Sequence, residues 1–304
     1  NYVNGSGQAT ILSGSLGGEF QLTDRLRADV GGRWESNNFV QSSENTSLVD
    51  LDGNPATTYD NESWGNNTFR HFDKTMNDWA GSLGLNFRLT NQVALYALGS
   101  RSYKMPALDE FLNAQSPAQV DLFGSRQVQD YEGGVKYASA RFGATLNGFW
   151  MLLKNIVGQG AVTDTLTGRT TWIVVTSPQN KSYGAELELS AVPFTPLRLE
   201  ANATWLKAEL GAGAGADIGS WINGVPPIIA NTAATYSISN FRLTGDWHFV
   251  GRRFSDVKAG NVLPQYSYFN FGAGYTLPRS RLGITADLLN AFQSKGLEEG
   301  NPRL

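Results

Sequence analysis

The sequence predicts an all-β fold, an antiparallel up-and-down transmembrane β-barrel, on the strength of three observations. Segments of roughly ten residues alternate between apolar and polar side chains, the period-2 pattern of a strand with two different faces. Tight turns and long connections follow one another in strict alternation along the chain. Aromatic residues collect near both ends of the alternating segments, as they do at the two interfaces of a membrane.

The composition excludes several classes of protein. Only 17% of the 304 residues are charged and none is cysteine, which excludes disulfides, thiol catalysis and cysteine-ligated metal sites. The formal net charge of -3 argues against a nucleic-acid partner, because binding phosphates requires a basic surface. No apolar run approaches the roughly 18 residues that a membrane-spanning helix needs. If the chain crosses a membrane, strands must do so.

The strands are predicted from the alternation itself. Residues 26–35 place Leu, Ala, Val, Gly and Trp at even positions, and Arg, Asp, Gly, Arg and Glu at odd ones. The segments 79–89, 185–191, 197–205 and 241–249 sort in the same way. Weaker segments complete the set: 11–22, 93–102, 128–137, 140–153, 228–239, 266–277 and 281–291. About twelve strands result, each near the roughly 9 to 11 residues that a tilted strand needs to span a bilayer.

The connections between these strands are of two kinds. Tight turns are predicted at 23–25, 90–91, 138–140, 193–196, 240 and 278–280. Long connections are predicted at 37–77, 104–127, 155–181, 210–227 and 251–265. Because the two kinds alternate, an up-and-down meander places every long connection on one side. Outer-membrane barrels have this asymmetry, with short periplasmic turns and long extracellular loops.

The aromatic residues form two predicted bands. Tryptophans lie toward the long-connection ends of their strands, whereas phenylalanines and tyrosines lie toward the tight turns. Amphipathic rings favour the membrane–water interfaces. The first band is Trp34, Trp150, Trp205 and Trp247, and the second is Phe87, Tyr137, Phe142, Tyr236, Phe241 and Tyr275.

Whether the apolar face of the strands points outward or inward distinguishes a membrane barrel from a soluble sandwich or propeller. An arginine exposed to lipid near the midplane costs about 2 to 4 kcal/mol, whereas charges in a watery lumen are tolerated. Glycines on the apolar face, such as Gly32, Gly81 and Gly245, would leave voids in a protein core, but acyl chains fill such gaps. A propeller would repeat a blade motif, and none recurs. The barrel with its apolar face outward is favoured.

Four stretches resemble the TonB-dependent outer-membrane receptors. They are "YALGSRSYKMPALDEF" (96–111), "QDYEGGVKY" (129–137), "NKSYGAELELS" (180–190) and "DLLNAFQSKG" (287–296). Their order and approximate spacing also fit the C-terminal part of that family's barrel. The resemblance implies a transporter in the Gram-negative outer membrane that captures a scarce solute and passes it inward when the TonB complex pulls on a plug. A ferric siderophore is the implied solute, and a glycan or oligosaccharide is nearly as plausible from the loop aromatics.

The sequence also departs from that family. Its barrels have roughly 22 strands around a plugged lumen, and about twelve are predicted here. Neither a plug nor a TonB box is recognisable, and "EEGNPRL" is not a closing strand. We therefore expect 1–304 to be a partial barrel, with the plug, the first barrel strands and the closing strand outside it. TonB would act through those absent regions, and lipid and lipopolysaccharide would surround the barrel.

Candidate ligand-binding residues concentrate in the connection 37–77. Its stretch "ESWGNNTFRHFDK" mixes aromatic rings with cationic side chains. Rings can stack on a sugar or an aromatic chelate, and an arginine can bind an anionic group. Ordinary loop packing is the alternative, and tryptophans near two other connections are weaker candidates. The set is Trp64, Phe69, Arg70, His71, Phe72, Trp172 and Trp221.

Other polar residues are assigned to the lumen or to loop anchoring. Arg101 and Lys104 match the motif of the resemblance, and we expect them to anchor a loop rather than contact ligand. Arg242, Asp246 and His248 share the polar face of one strand and are expected to line the lumen. Two positions apart, Asp246 and His248 run side by side, which favours solvated charges over catalysis.

No catalytic residue, metal site or cofactor is predicted. The stretch "DLDGN" (50–54) lacks the glycine and glutamate spacing of an EF-hand calcium loop. Two alternatives stay open at this point. One is a self-contained barrel acting as a passive pore or hydrolase, and the other is a soluble β-rich binding module.

Overall fold

The computed structural model describes residues 4–54, 61–108, 111, 120–121, 123–163, 170–211, 219–255, 261–279 and 282–296. Within these ranges the side chains at 48, 61, 63, 157–163 and 170–178 are not described. No helix among the described residues is long and apolar enough to cross a membrane.

The described chain is built from strands that pair with their sequence neighbours. Twelve of them form one antiparallel sheet in the order β1 to β10, then β13 and β14, and β11 pairs with β12 separately. The strands are β1 (Gly5–Gln21), β2 (Leu26–Asp50), β3 (Asn61–Arg88), β4 (Val93–Lys104), β5 (Arg126–Ala138), β6 (Phe142–Thr163), β7 (Thr170–Phe194), β8 (Leu197–Leu210), β9 (Ile228–Ile238), β10 (Phe241–Val250), β11 (Arg253–Phe254), β12 (Val262–Leu263), β13 (Tyr266–Thr276) and β14 (Gly283–Leu288). The meander of about twelve antiparallel strands is confirmed.

Hydroxyl side chains close three of the tight turns and thereby help to set the strand register. The Thr23 hydroxyl oxygen accepts hydrogen bonds from the backbone N–H groups of Arg25 and Leu26. Thr90 does the same for Val93, as Ser139 does for Phe142. A serine or threonine oxygen that caps the turn in this way replaces a backbone bond. The turn fixes which residues face each other, and a slip of one residue would exchange the two faces.

Two predicted long connections are wrong. The connection 37–77 is mostly strand, because β2 continues to Asp50 and β3 begins at Asn61. The connection 155–181 is likewise replaced by the ends of β6 and β7, which pair as far as Thr163 and Thr170. Several strands are consequently much longer than the predicted ten residues. The reason is that the outer face of a hairpin above a membrane no longer meets lipid, so the regular apolar alternation ends although the backbone pairing continues.

The apolar face of β2 and β3 has the height of a membrane. Leu26 pairs with Phe87 at the tight-turn end, and Trp34 pairs with Trp79 at the other. The eight residue steps from Leu26 to Trp34 cover about 27 Å at ~3.4 Å per residue. With a strand tilt of roughly 40° this is about 21 Å along the membrane normal, close to the ~25 Å apolar band of such barrels.

The polar face is continuous across seven strands. His248 pairs with both Tyr268 and Asn231, and the strand register extends this line of paired residues into a row across the sheet. Neighbouring side chains in the row are hydrogen-bonded to each other. His248 contacts Asn231, and the Asn231 amide donates to the Asn202 oxygen at 2.8 Å. Side chains from β5 to β13 line one common cavity of about 620 Å³. The row consists of Tyr268, His248, Asn231, Asn202, Glu188, Thr145 and Lys136.

Two glycines of the motif stretches lie under aromatic rings on this polar face. A Cβ added at Gly134 would clash with the Leu146 carbonyl oxygen and lie 2.7 Å from the Tyr96 ring. At Gly184 it would clash with the Trp205 carbonyl oxygen and lie 2.9 Å from a ring carbon of Phe149. A glycine is therefore required at both positions by close approach rather than by its backbone angles.

We predict that Leu83→Arg impairs assembly of the barrel and that Ser82→Arg does not. Leu83 lies midway between the two aromatic ends of β3 and is 50% exposed, so an arginine there meets lipid at a cost of about 2 to 4 kcal/mol. Ser82 is the adjacent residue on the polar face. Heat-modifiable electrophoretic mobility of the outer-membrane protein measures the folded fraction, and equal tolerance of the two variants would refute the face assignment.

We predict that Gly134→Ala destabilises the barrel by about 1 to 3 kcal/mol, the usual cost of overpacking. Gly133→Ala is the matched control, because the nearest atom to a Cβ at Gly133 is 3.7 Å away. Urea midpoints of the two variants in detergent give the comparison. A midpoint for Gly134→Ala as high as that of Gly133→Ala would contradict the close-approach explanation.

Candidate functional site

The sheet divides between β3 and β4 just below the Trp34–Trp79 pair. The last β3–β4 pair is Gly81 with Arg101, although β4 and β5 stay paired to their upper ends. The carbonyl oxygen of Trp79 lies beyond that last pair, and Nη1 of Arg101 donates to it. The Arg101 guanidinium also lies 4.3 Å from the centroid of the Trp79 ring. Arg101 thus links the β2–β3 and β4–β5 hairpins at the point where they separate.

Above this point the ends of β4 and β5 lie on the inner side of β2 and β3. Nη2 of Arg101 donates to Oδ1 of Asp78 at 2.6 Å, and Nε2 of Gln127 donates to Oδ2 at 3.0 Å. The Tyr103 hydroxyl donates to Glu35 at 3.2 Å. Asp78 and Glu35 both belong to the polar face of their strands. The β4–β5 hairpin therefore folds inward instead of continuing the curve of the sheet.

Asp78 is the centre of this contact. It is only 6% exposed and also accepts hydrogen bonds from the Ser125 hydroxyl and from its neighbour's backbone N–H, that of Trp79. Burial alone would raise the pKa of Asp78, but the bonds from Ser125, Arg101, Trp79 and Gln127 outweigh it and lower that pKa. The stabilisation is fully present above the ordinary aspartate pKa of about 3.9. It is lost as the pH falls through the lowered value.

Lys74 holds the connection between β4 and β5 at a second point. We use the name β4–β5 connection for its described residues, 105–108, 111, 120–121 and 123–125. Its Nζ donates to the carbonyl oxygens of Val120 at 2.6 Å and Phe123 at 3.0 Å, and lies 3.8 Å from Asp121. Burial lowers the pKa of Lys74, and the charge of Asp121 opposes that shift. The carbonyl groups of Val120 and Phe123, which lie outside the strands, thus accept hydrogen bonds from a charged donor.

A phenylalanine cluster lies beneath the connection. The Phe111 ring is fully buried, with its centroid 5.1 Å from Phe39, 5.3 Å from Phe72 and 5.0 Å from Phe123. Apolar side chains therefore cover the polar face of β2 and β3 at this height. The cluster consists of Phe39, Phe111, Val120 and Phe123, with Phe72, Met76, Met105 and Leu108 packed against it.

A cavity of about 780 Å³ opens beside the cluster, and we call it the vestibule. Its size falls within the roughly 300 to 1,000 Å³ typical of small-molecule sites. It is lined by Asn4, Gly5, Ser6, Gly7, Gln41, Ser43, Glu44, Thr46, Arg70 and Leu108. Polar side chains of β2 and β3 thus face an apolar one from the β4–β5 connection.

The five candidates between Trp64 and Phe72 do not form one site. Arg70 lines the vestibule, and Phe72 packs against the phenylalanine cluster. Phe69 and His71 alternate with them and lie exposed on the outer face of β3, and Trp64 is exposed farther along the strand. Because these residues form a strand rather than a loop, its period of two distributes them over both faces.

Of the remaining tryptophan candidates, Trp221 lies apart from the vestibule lining. Trp221, in the connection between β8 and β9, donates from its ring nitrogen to the Val225 carbonyl oxygen at 2.7 Å. It also forms an isolated bridge with Glu209, whose carboxylate pairs with Lys181 and Lys207. The side chain of Trp172 lies outside the described residues.

The candidates on β10 lie on the polar face. Asp246 accepts a hydrogen bond from the Asn270 amide at 2.7 Å, and Asp246 and His248 both line the 620 Å³ cavity. Arg242 lies on the same face nearer the tight turn. Lys104 is exposed at the upper end of β4, where it pairs with Arg126. Within the described ranges, no three metal-ligating side chains cluster.

Comparisons with known proteins agree with this architecture. Residues 1–291 match the family described as TonB dependent receptor-like, beta-barrel. The ferric yersiniabactin uptake receptor FyuA from Yersinia pestis is 16% identical, with a TM-score of 0.74, and the match covers 99% of this chain and 43% of that one. For the siderophore receptor PiuA from Acinetobacter baumannii the values are 17%, 0.70, 96% and 40%. For the copper transporter OprC they are 14%, 0.70, 95% and 44%.

The chain therefore spans less than half the length of each of these three solved structures. At such low identity the structural likeness shows the fold alone. No curated protein matches the chain. The family match excludes the soluble β-rich module and confirms the resemblance that the four sequence stretches carry. This chain belongs to the TonB-dependent receptor family as part of its outer-membrane β-barrel, in a Gram-negative bacterium.

Proposed function

We propose that this chain forms the ligand-receiving side of a transporter that takes up a scarce solute across the outer membrane in a TonB-dependent manner. The observation that carries the proposal is the vestibule, a cavity of about 780 Å³ on the inner face above the aromatic band. An inner-face cavity at the long-connection end is where a solute from outside would first be enclosed. The plug and the TonB contact would lie outside residues 1–304.

The chemistry of the vestibule favours a ligand with anionic groups and hydroxyl groups. Arg70 supplies a cation, which binds carboxylate or phenolate oxygens well. Gln41 is 2% exposed, and its amide donates to Ser43 at 2.8 Å while its side-chain oxygen has no partner among the described residues. Buried acceptors normally have a donor, and a ligand hydroxyl would supply it. A metal chelate of the siderophore class satisfies both requirements.

A glycan is the second candidate solute, and the exposed aromatic residues favour it. Trp64 lies farther along the β2–β3 hairpin than the vestibule and is 46% exposed, whereas the exposed Phe69 faces outward. A flat ring such as that of Trp64 can stack on a sugar, so a ligand larger than the vestibule could contact it. Passage inward would follow the polar row of the lumen face, from His248 toward Lys136. Arg101 and Lys104 would anchor the β4–β5 connection rather than contact the solute.

We predict that uptake by the full-length receptor requires TonB. Cells that carry the receptor gene would be given radiolabelled ferric hydroxamate, ferric catecholate and ferric phenolate chelates, copper, and a maltooligosaccharide series. At least one should accumulate only when TonB is present. Accumulation that survives deletion of TonB would instead indicate a passive pore.

We predict that Arg70→Ala weakens ligand binding about tenfold to a hundredfold, the range expected for losing one hydrogen bond to a charged group. His71→Ala is the matched control, because the adjacent side chain lies on the outer face. Equilibrium binding of the transported chelate to purified receptor measures both variants. Equal losses at Arg70 and His71, or a loss at His71 alone, would place the ligand outside the vestibule.

A further inference from the structure

We propose that Lys74 and Asp78 are positioning residues that hold the β4–β5 connection as a preformed inner wall of the vestibule. The solute would then meet a fixed surface rather than a loop that closes after binding. The importance of this wall for uptake rests on the proposed function. Whether Lys74 and Asp78 hold the connection in place does not depend on that function, and it can be measured without any ligand.

Among the described residues, no backbone hydrogen bond joins the β4–β5 connection to β3. Strand pairing between β3 and β4 ends at Gly81 and Arg101, below the whole connection. Above that pair, side chains make the contacts between the described residues of the β2–β3 hairpin and those of the β4–β5 hairpin. Lys74 binds two carbonyl groups at Val120 and Phe123, and Asp78 binds Ser125 and Gln127. Two residues of β3, four apart on one face, therefore hold four residues near the end of the connection: Val120, Phe123, Ser125 and Gln127.

Both attachments use a charged partner, and charge-assisted hydrogen bonds are about twice as strong as neutral ones. Both side chains are also largely removed from water, with side-chain exposures of 18% for Lys74 and 4% for Asp78. From the opposite side, the Asn155 amide of β6 donates to the Ser125 carbonyl oxygen at 2.9 Å. The end of the connection is thus held between β3 and β6.

The wall reaches across the vestibule to β1. Leu108 lines the vestibule, and a Cβ added at Gly7 would lie 2.6 Å from a methyl carbon of Leu108. The connection is therefore held by β3 at one end and touches β1 at the other. Displacing it would remove the apolar side of the vestibule while leaving Arg70 and Gln41 in place.

The absence of cysteine from the sequence allows a direct test. In a full-length receptor in which any cysteine outside residues 1–304 is replaced by serine, Val120→Cys introduces a single thiol of similar size at a position that is 6% exposed. Cells displaying the full-length receptor are treated with a membrane-impermeant maleimide, without ligand, and the labelling rate is measured. The background is either otherwise native or carries Lys74→Met, Asp78→Asn or the control Asp73→Asn. Asp73 is adjacent to Lys74 but bonds to Asn38 on the outer face.

Labelling should be slow in the native and Asp73→Asn backgrounds. It should be about tenfold faster or more with Lys74→Met or Asp78→Asn, because losing one charged hydrogen bond changes an equilibrium by at least that factor. Lys74→Arg keeps a cationic donor and should restore slow labelling, which a general packing defect would not allow. Fast labelling in the native background, or equal rates in all backgrounds, would overturn the proposal.

Heat-modifiable mobility confirms in each case that the barrel is assembled. If Asp78→Asn does not assemble, Ser125→Ala removes the same bond from the other side and should accelerate labelling in the same way. Because no ligand is present, failure of this proposal is distinguishable from failure of the transport proposal. The latter would leave the labelling rates unchanged and abolish only TonB-dependent uptake.

Discussion

The structure depends on one constraint, that every backbone hydrogen bond within the membrane must be made between strands. Lipid offers no partner for an unpaired N–H or C=O group, so each spanning strand is paired along its length. The same pairing makes side chains alternate between two environments. Hydroxyl-capped turns such as those at Thr23 and Thr90 help to fix the register, and the register aligns polar side chains into rows across the sheet. The lipid face and the lumen face are both consequences of that pairing.

At the level of the Trp34–Trp79 pair the apolar band ends, water becomes available and the constraint relaxes. The sheet divides there, and charged side chains take over where backbone pairing stops. Arg101 donates to the Trp79 carbonyl and Lys74 to two carbonyls of the β4–β5 connection. The Glu44 carboxylate accepts the backbone N–H groups of Asn4 and Asn67 next to an irregularity in β2, and these bonds lower the pKa of Glu44. Charged side chains thus shape the surface around the vestibule.

Much of the fold could be predicted because lipid imposes a pattern on sequence. Strand positions, the tight turns and the family followed from alternation and from four short stretches. The extension of β2 and β3 could not be predicted in this way, because the outer face of a hairpin above the membrane no longer has to be apolar and the regular alternation disappears. Continuing the parity of Trp34 and Trp79 upward would have placed Phe39, Phe72 and Met76 on the inner face. Apolar residues at polar-face positions were therefore a signal of the phenylalanine cluster.

The site was harder to predict than the fold, because its contacts join distant parts of the chain. Lys74 and Val120 are far apart in sequence, and no local pattern connects them. The residues from Trp64 to Phe72 form one aromatic and cationic group only if the stretch is interpreted as a loop. As a strand it separates Arg70 from Phe69 and His71.

The central claim is that one face of the sheet meets lipid and the other meets water. Residues 1–304 contain no cysteine, so single cysteines can be placed at each position from Phe241 to Phe249 and given a nitroxide label in a full-length receptor in which any cysteine outside this range is replaced by serine. Collision with oxygen, which concentrates in lipid, should peak at the odd positions, and collision with a water-soluble nickel complex at the even positions. A reversed alternation, or collision rates without a period of two, would contradict the account.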